Sequence, residues 1–180
     1  MPGMTQLLQH NEQFARDYNP VPLGPPTAEV LVLTCLDHRI DPARMLGLHP
    51  GSAPVIRNAG GRVTTAVIDD IAYLAFLGDT LFGPFDELFE VVVIHHTQCG
   101  TGFLDDPDFR HQAARATDTS EAALEAAAVA DPAATVAADV ELLLASPRLS
   151  PKVSVSGHVL DIDTGRVTTV LGTRQPQPAR

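Results

Sequence analysis

Val91-Val-Val-Ile-His-His-Thr-Gln-Cys-Gly100 is an apolar run that ends abruptly in metal-binding residue types. Leu33-Thr-Cys-Leu-Asp-His-Arg39 is built the same way. Each apolar part reads as a strand buried on both faces, the pattern of a central parallel strand. The second stretch supplies Cys35, the first His96 and Cys99, and the chain has two cysteines in all. Two thiolates and one imidazole make a zinc set with one coordination position left open. Zn²⁺ held this way makes hydroxide available at neutral pH, so the reading is a catalytic site. Asp37 and Arg39 stand beside it, two and four residues past Cys35.

Outward from these stretches, strand periodicity sends alternate side chains to opposite faces. His95 and His96 therefore cannot both address one ion, and the spacing to Cys99 favours His96. Ala28 to Thr34 is predicted as the first strand, Ala53 to Arg57 as the second and Leu88 to His96 as the third. Between them lie a short helix with Asp41 as cap and Pro42 at its first position, then a longer one from Thr64 to Gly78. Threonine is a preferred cap and glycine a preferred stop, and Val67, Ile68, Ile71, Leu74 and Ala75 form one stripe between them. Asn58-Ala-Gly-Gly61 is a tight loop.

After Gly100 the periodicity fades, and Leu104 to Asp108 reads as a turn into a short helix. Ser120 to Ala130 and Asp131 to about Ala145 are expected as helices. Lys152 to Asp161 alternates like a half-exposed strand, Asp163-Thr-Gly165 turns, and Val167 to Leu171 returns as an edge strand. The fold class is α/β, a mostly parallel central sheet of order near 2-1-3-4 with an antiparallel C-terminal edge strand and flanking helices. An N-terminal helical arm, Thr5 to Tyr18, precedes a proline-rich tether that ends at Pro26. Residues 1–26 are thus arm and tether, 27–172 one zinc-binding domain, and 173–180 a polar tail expected to be disordered. Strands one and three present the metal-type residues at their C-terminal ends. With strand two on the far side of strand one, that is the switch point where open α/β sheets bind ligands.

A formal charge of −10 argues against nonspecific nucleic-acid binding, which needs a basic surface, and against an anionic membrane face. No apolar run approaches a membrane span, and Met1 to Tyr18 lacks the cationic and apolar segments of a signal peptide. A cytoplasmic protein with reduced thiols is the expectation, and a disulfide between the two cysteines is the weaker one.

Cys35-Leu-Asp37-His-Arg39, Arg57-Asn-Ala-Gly60 and His95-His96-Thr-Gln-Cys99-Gly100, in this order and approximate spacing, resemble the β-class carbonic anhydrase family. That family also includes carbonyl sulfide and carbon disulfide hydrolases. The resemblance implies an α/β fold, Zn²⁺ held by Cys35, His96 and Cys99, and a catalytic Asp37–Arg39 dyad. It implies reversible hydration of CO₂ to bicarbonate by attack of zinc-bound hydroxide, with Asp37 accepting a hydrogen bond from that hydroxide and Arg39 holding Asp37 ionised. If the pair breaks, Asp37 is free to close the site as a fourth ligand. A homodimer or higher homo-oligomer is implied too, the N-terminal arm clasping the partner.

His38 and Gln98 depart from the expected family pattern. His38 at the pocket rim is a candidate proton relay, set against an exposed histidine without a role. The chain has no tryptophan, so the Trp-containing bicarbonate-inhibition pocket of some relatives cannot be reproduced as such. A carbonyl sulfide or carbon disulfide hydrolase keeps the same ligands and is the alternative reading. A non-catalytic zinc or redox-sensing module is the third, disfavoured because both thiols are expected to be capped by metal.

Overall fold

The computed structural model describes residues 3–176. Five strands form one sheet: β1 (Val30–Cys35), β2 (Val55–Asn58), β3 (Glu90–His96), β4 (Ser154–Leu160) and β5 (Val167–Arg174), in the order β2-β1-β3-β4-β5. The pairs β1/β2, β1/β3 and β3/β4 are parallel, and β4/β5 is antiparallel. The chain passes from β1 to β2 on one side and reaches β3 on the other, so the C-terminal end of β1 is the switch point. Cys35 lies there, in register with Asn58 of β2.

Six helices accompany the sheet: α1 (Met4–Arg16), α2 (Pro42–Leu46), α3 (Thr65–Leu81), α4 (Pro107–Thr117), α5 (Glu121–Ala127) and α6 (Pro132–Leu144). Alternation along β1 and β3 divides the core. Leu31, Leu33, Val91 and Val93 pack with Val67 and Ile71 of α3 and with Val136, Val140 and Leu143 of α6. Val32 and Ile94 turn to the other face, where Ile40, Val129, Leu160 and both cysteines gather. Each fully buried side chain of this kind is worth at most about 1.5–3 kcal/mol, so these two layers dominate the stability. The alternation also separates the two histidines, since His95 follows Val91 and Val93 while His96 follows Val92 and Ile94.

Capping follows the chemistry of the sequence. Asp41 Oδ1 accepts from Ala43 N and Arg44 N, and Asp131 Oδ1 accepts from Ala133 N and Ala134 N, each before a proline at the first helical position. Thr64 Oγ1 accepts from Val67 N at the start of α3.

Several boundaries differ from expectation. Gly78 does not stop α3, which runs on to Leu81 with Phe82 N donating to Gly78 O. A Cβ at Gly78 would meet Leu88 Cδ2 at 3.7 Å, an ordinary contact, so the helix runs through this position without strain. α4 is a full eleven-residue helix capped by Asp106. α5 ends at Ala127, short of Ala130, and Ala126 O and Ala128 O accept there from Arg62 Nη1. β4 is an interior strand, not a half-exposed one, and its alternating polar residues bond each other, with Ser156 Oγ 2.8 Å from His158 Nε2. β5 continues through Thr173 and Arg174, into the expected tail, where Thr173 Oγ1 donates to Glu90 Oε1 and Arg174 Nη2 to Glu141 Oε1. Residues 177–180 of that tail lie outside the described residues.

α1 buries none of its residues, and Met4, Leu7, Leu8, Phe14 and Tyr18 are exposed along the arm. Among the described residues no helix is long and apolar enough to cross a membrane.

Candidate metal centre

Cys35 is the last residue of β1 and His96 the last of β3. Beyond β3 the chain reverses through Gln98, whose φ of 55° is uncommon for a residue with a side chain. The reversal carries Cys99 back towards Cys35. The two sulfurs are 3.9 Å apart, unbonded, and the ligand atoms of Cys35, His96 and Cys99 all lie within 4.8 Å of one another. Sulfurs held about 2.3 Å from one tetrahedral ion stand about 3.8 Å apart, so the spacing suits zinc.

His96 tests the fit. Its Nδ1 donates to Thr97 O at 2.8 Å, which leaves the lone pair on Nε2. That Nε2 is buried and has no hydrogen-bond partner. A buried polar atom left without a partner is unusual, and here it is aimed among two thiols. Two thiolates and a neutral imidazole are a zinc donor set, and all three residues are buried. The hydrogen bond between the sulfurs pushes the Cys35 thiol up and pulls Cys99 down, with Thr101 Oγ1 at 3.2 Å also favouring the Cys99 thiolate. Burial pushes His96 down, but the adjacent Cys99 thiolate outweighs it and the imidazole is raised.

Asp37 is not part of this cluster and is held by Arg39. Arg39 Nε donates to Oδ1 at 3.0 Å and Nη2 to Oδ2 at 2.7 Å, while the Arg39 backbone N donates to Oδ1 at 2.9 Å. These bonds hold the carboxyl well below the usual carboxylate range. Arg39 Nη2 also donates to Gln98 O at 2.8 Å, which ties the dyad to the Cys99 turn. Gln98 Nε2 donates to Asp163 Oδ2. His38 is 95 % exposed, with Nδ1 3.9 Å from Asp37 Oδ1.

Two supports have roles that the sequence does not declare. Arg57 donates from Nε to Cys35 O and from Nη2 to Asp37 O and Ile40 O, so it clamps the loop that bears the dyad. Its position, in register with Thr34 next to Cys35, becomes visible only once β2 is paired with β1. The other support is Asp139 with Arg62 and His95. Burial pushes the Asp139 carboxyl up, but bonds from His95, Arg62 and Val63 N outweigh it and leave it lowered. An aspartate inside an apolar helix stripe is the one hint that the sequence offers.

A sequence profile described as carbonic anhydrase matches residues 30–167. The chain is 30% identical over 164 residues to β-carbonic anhydrase 1 of Mycobacterium tuberculosis, covering 91% of this chain and 94% of that one. The crystal structure of carbonic anhydrase from Streptococcus mutans superposes with a TM-score of 0.77 at 31% identity, covering 94% of this chain and 98% of that one. A shorter match, 40% identical over 76 residues, joins it to carbon disulfide hydrolase of Acidianus, spanning 42% of this chain and 33% of that protein. An α/β sheet with a Cys-His-Cys cluster at its switch point is thus the architecture of a known class. The chain belongs to the β-class carbonic anhydrase family.

Proposed function

We propose that the protein is a zinc-dependent carbonic anhydrase that reversibly hydrates CO₂ to bicarbonate and a proton. The observation that carries this reading is the convergence of Cys35, His96 and Cys99 with the unpartnered His96 Nε2 among them. Bound there, zinc supplies a Lewis acid that lowers the pKa of water from 15.7 towards ~7.

The chain's own residues supply the rest. Cys35 and Cys99 as thiolates and His96 through Nε2 hold the ion. Asp37 stays ionised and is an acceptor only, so it would accept a hydrogen bond from the attacking water or hydroxide and leave a lone pair of that oxygen directed at the carbon of CO₂. Arg39 fixes the carboxylate at two points and keeps it from swinging into the ligand set. Arg57 keeps the backbone under Asp37 in place. The released proton leaves to solvent or buffer.

Hydrolysis of carbonyl sulfide or carbon disulfide is the second reading, favoured by the local match to carbon disulfide hydrolase. That match spans less than half of this chain, whereas the carbonic anhydrase relative aligns over nearly all of it. We also propose that the chain works as a homodimer or larger homo-oligomer, supported by the exposed apolar side chains of α1.

The test is metal content together with stopped-flow CO₂ hydration from acid to alkaline pH, run beside carbonyl sulfide and carbon disulfide hydrolysis on the same preparation. Stoichiometric zinc and a hydration rate that rises with pH are expected. Zinc-loaded protein inert towards CO₂ but active on carbon disulfide would move the assignment to the hydrolases. Zinc-loaded protein inert towards all three would leave the sensing module.

A further inference from the structure

One buried carboxylate ties together segments that are distant in the chain. Asp139, midway along α6, is 2 % exposed on a helix face otherwise lined by Val136, Val140 and Leu143. Its Oδ2 accepts from Arg62 Nε at 2.8 Å and from Val63 N at 3.1 Å, and its Oδ1 accepts from Arg62 Nη2 at 3.0 Å. His95 Nε2 lies 3.2 Å from Oδ2 and equally 3.2 Å from Gly61 O, and its Nδ1 lies 3.0 Å from Thr135 Oγ1. Arg62 extends the link through Nη1 to Ala126 O and Ala128 O. The carboxylate therefore anchors the glycine loop, the end of β3 and the connection between α5 and α6.

All three segments border the Cys35, His96 and Cys99 set. At Gly61 a Cβ would stand 2.8 Å from Cys35 N and from Thr34 C, so the loop lies directly against the backbone that presents Cys35. His95 and His96 are consecutive, and a ring pinned on one face of β3 fixes the backbone that aims the other ring. Val129, in the α5–α6 connection, packs with Cys35 and Cys99. Stability alone does not account for this arrangement, because an apolar pair of similar volume commonly packs as well as a buried ion pair. Its placement does.

We propose that Asp139 is a positioning residue for the metal set: through Arg62, Val63 and His95 it holds the three segments whose backbones aim Cys35, His96 and Cys99. The proposal rests on the reading of those residues as zinc ligands. Outer groups that orient ligands typically govern metal affinity by about ten- to a hundredfold.

The experiment uses the full chain and two readouts other than turnover: zinc affinity by competition with a chromophoric chelator, and the absorption spectrum of the cobalt-substituted protein. Asp139→Asn is compared with the Arg62→Met/Asp139→Leu double variant, in which no unpaired charge remains to unfold the core. Asp79→Asn breaks the Asp79–Lys152 pair, whose side chains are 35% and 33% exposed, and serves as the control for losing an ion pair away from the metal set. Zinc affinity about ten- to a hundredfold weaker, with displaced cobalt bands, is expected for the Asp139 variants and for neither measurement in the control. A folded Asp139 variant with wild-type zinc affinity and an unchanged cobalt spectrum overturns the proposal. Failure of the unsubstituted protein to take up zinc is a different result, since it removes the ligand assignment underneath.

Discussion

Arg39 meets both oxygens of Asp37 with Nε and Nη2 and reaches the Gln98 carbonyl with the same Nη2. A lysine has no fork with which to copy this grip, so the exchange is not conservative here. Arg39→Lys and Arg39→Met are both expected to retain zinc while kcat/KM for CO₂ falls by about 100-fold or more, the usual scale for a group that positions a proton. Zinc retention with near-wild-type turnover would show the dyad to be an ordinary ion pair. Asp139 makes a different claim, about pH. Its carboxyl lies below the ordinary ~3.9, so as pH falls the unfolded chain binds the proton first. The stability it contributes is complete above ~3.9 and is lost as pH drops through the lower folded value. Plots of Tm against pH should therefore show a shallower acid limb for Asp139→Asn than for the unsubstituted protein, and parallel limbs would contradict the assignment. His38 is 95 % exposed, so His38→Ala should leave turnover unchanged at low buffer. A drop restored by added imidazole would instead make it the relay.

The elements bring these residues together through close backbone approach more than through side-chain reach. Gly61 combines a φ of 69° with no room for a Cβ beside Cys35 N. Gly61→Ala is expected to cost about 2 kcal/mol or more and to weaken zinc uptake, read by chemical denaturation and chelator competition. Loss of stability with zinc affinity intact would separate the loop from the site. This is also where the sequence is least informative. The strands and the Cys35, His96 and Cys99 cluster are legible because apolar runs that stop at Cys35 and His96 state both burial and chemistry locally. Gly78 misleads because a glycine in the last third of a helical stripe has the same letters whether it stops a helix or lies inside one. β4 reads as half-exposed because Ser156 and His158 satisfy each other inside the fold, and no local pattern reports that pairing. Asp139 is invisible for a related reason: its partners lie at positions 62, 63 and 95, and only the packing of α6 on β3 joins them.

At the scale of the whole molecule, opposing forces act on α1. Thirteen residues make a helix too short to be stable alone in water, and it buries none of its side chains on its own domain. Leu7, Leu8, Phe14 and Tyr18 remain exposed along the arm, and Tyr73 and Phe76 do so on the outer side of α3. Scattered apolar side chains are ordinary, but a continuous set on a helix that needs support points to a partner surface. Against this stands the charge of −10 per chain, which makes two copies repel. Salt screens that repulsion while leaving apolar burial intact, so association should tighten as ionic strength is raised from about 0.05 to 0.5 M. Leu7→Glu/Phe14→Glu places like charges on the arm and removes its apolar contacts. Sedimentation equilibrium is expected to show at least tenfold weaker association for this variant, with reduced helical circular dichroism because the detached arm no longer folds. An unchanged mass distribution and an unchanged helical signal would mean that α1 is supported within its own chain, and the arm would then have no part in assembly.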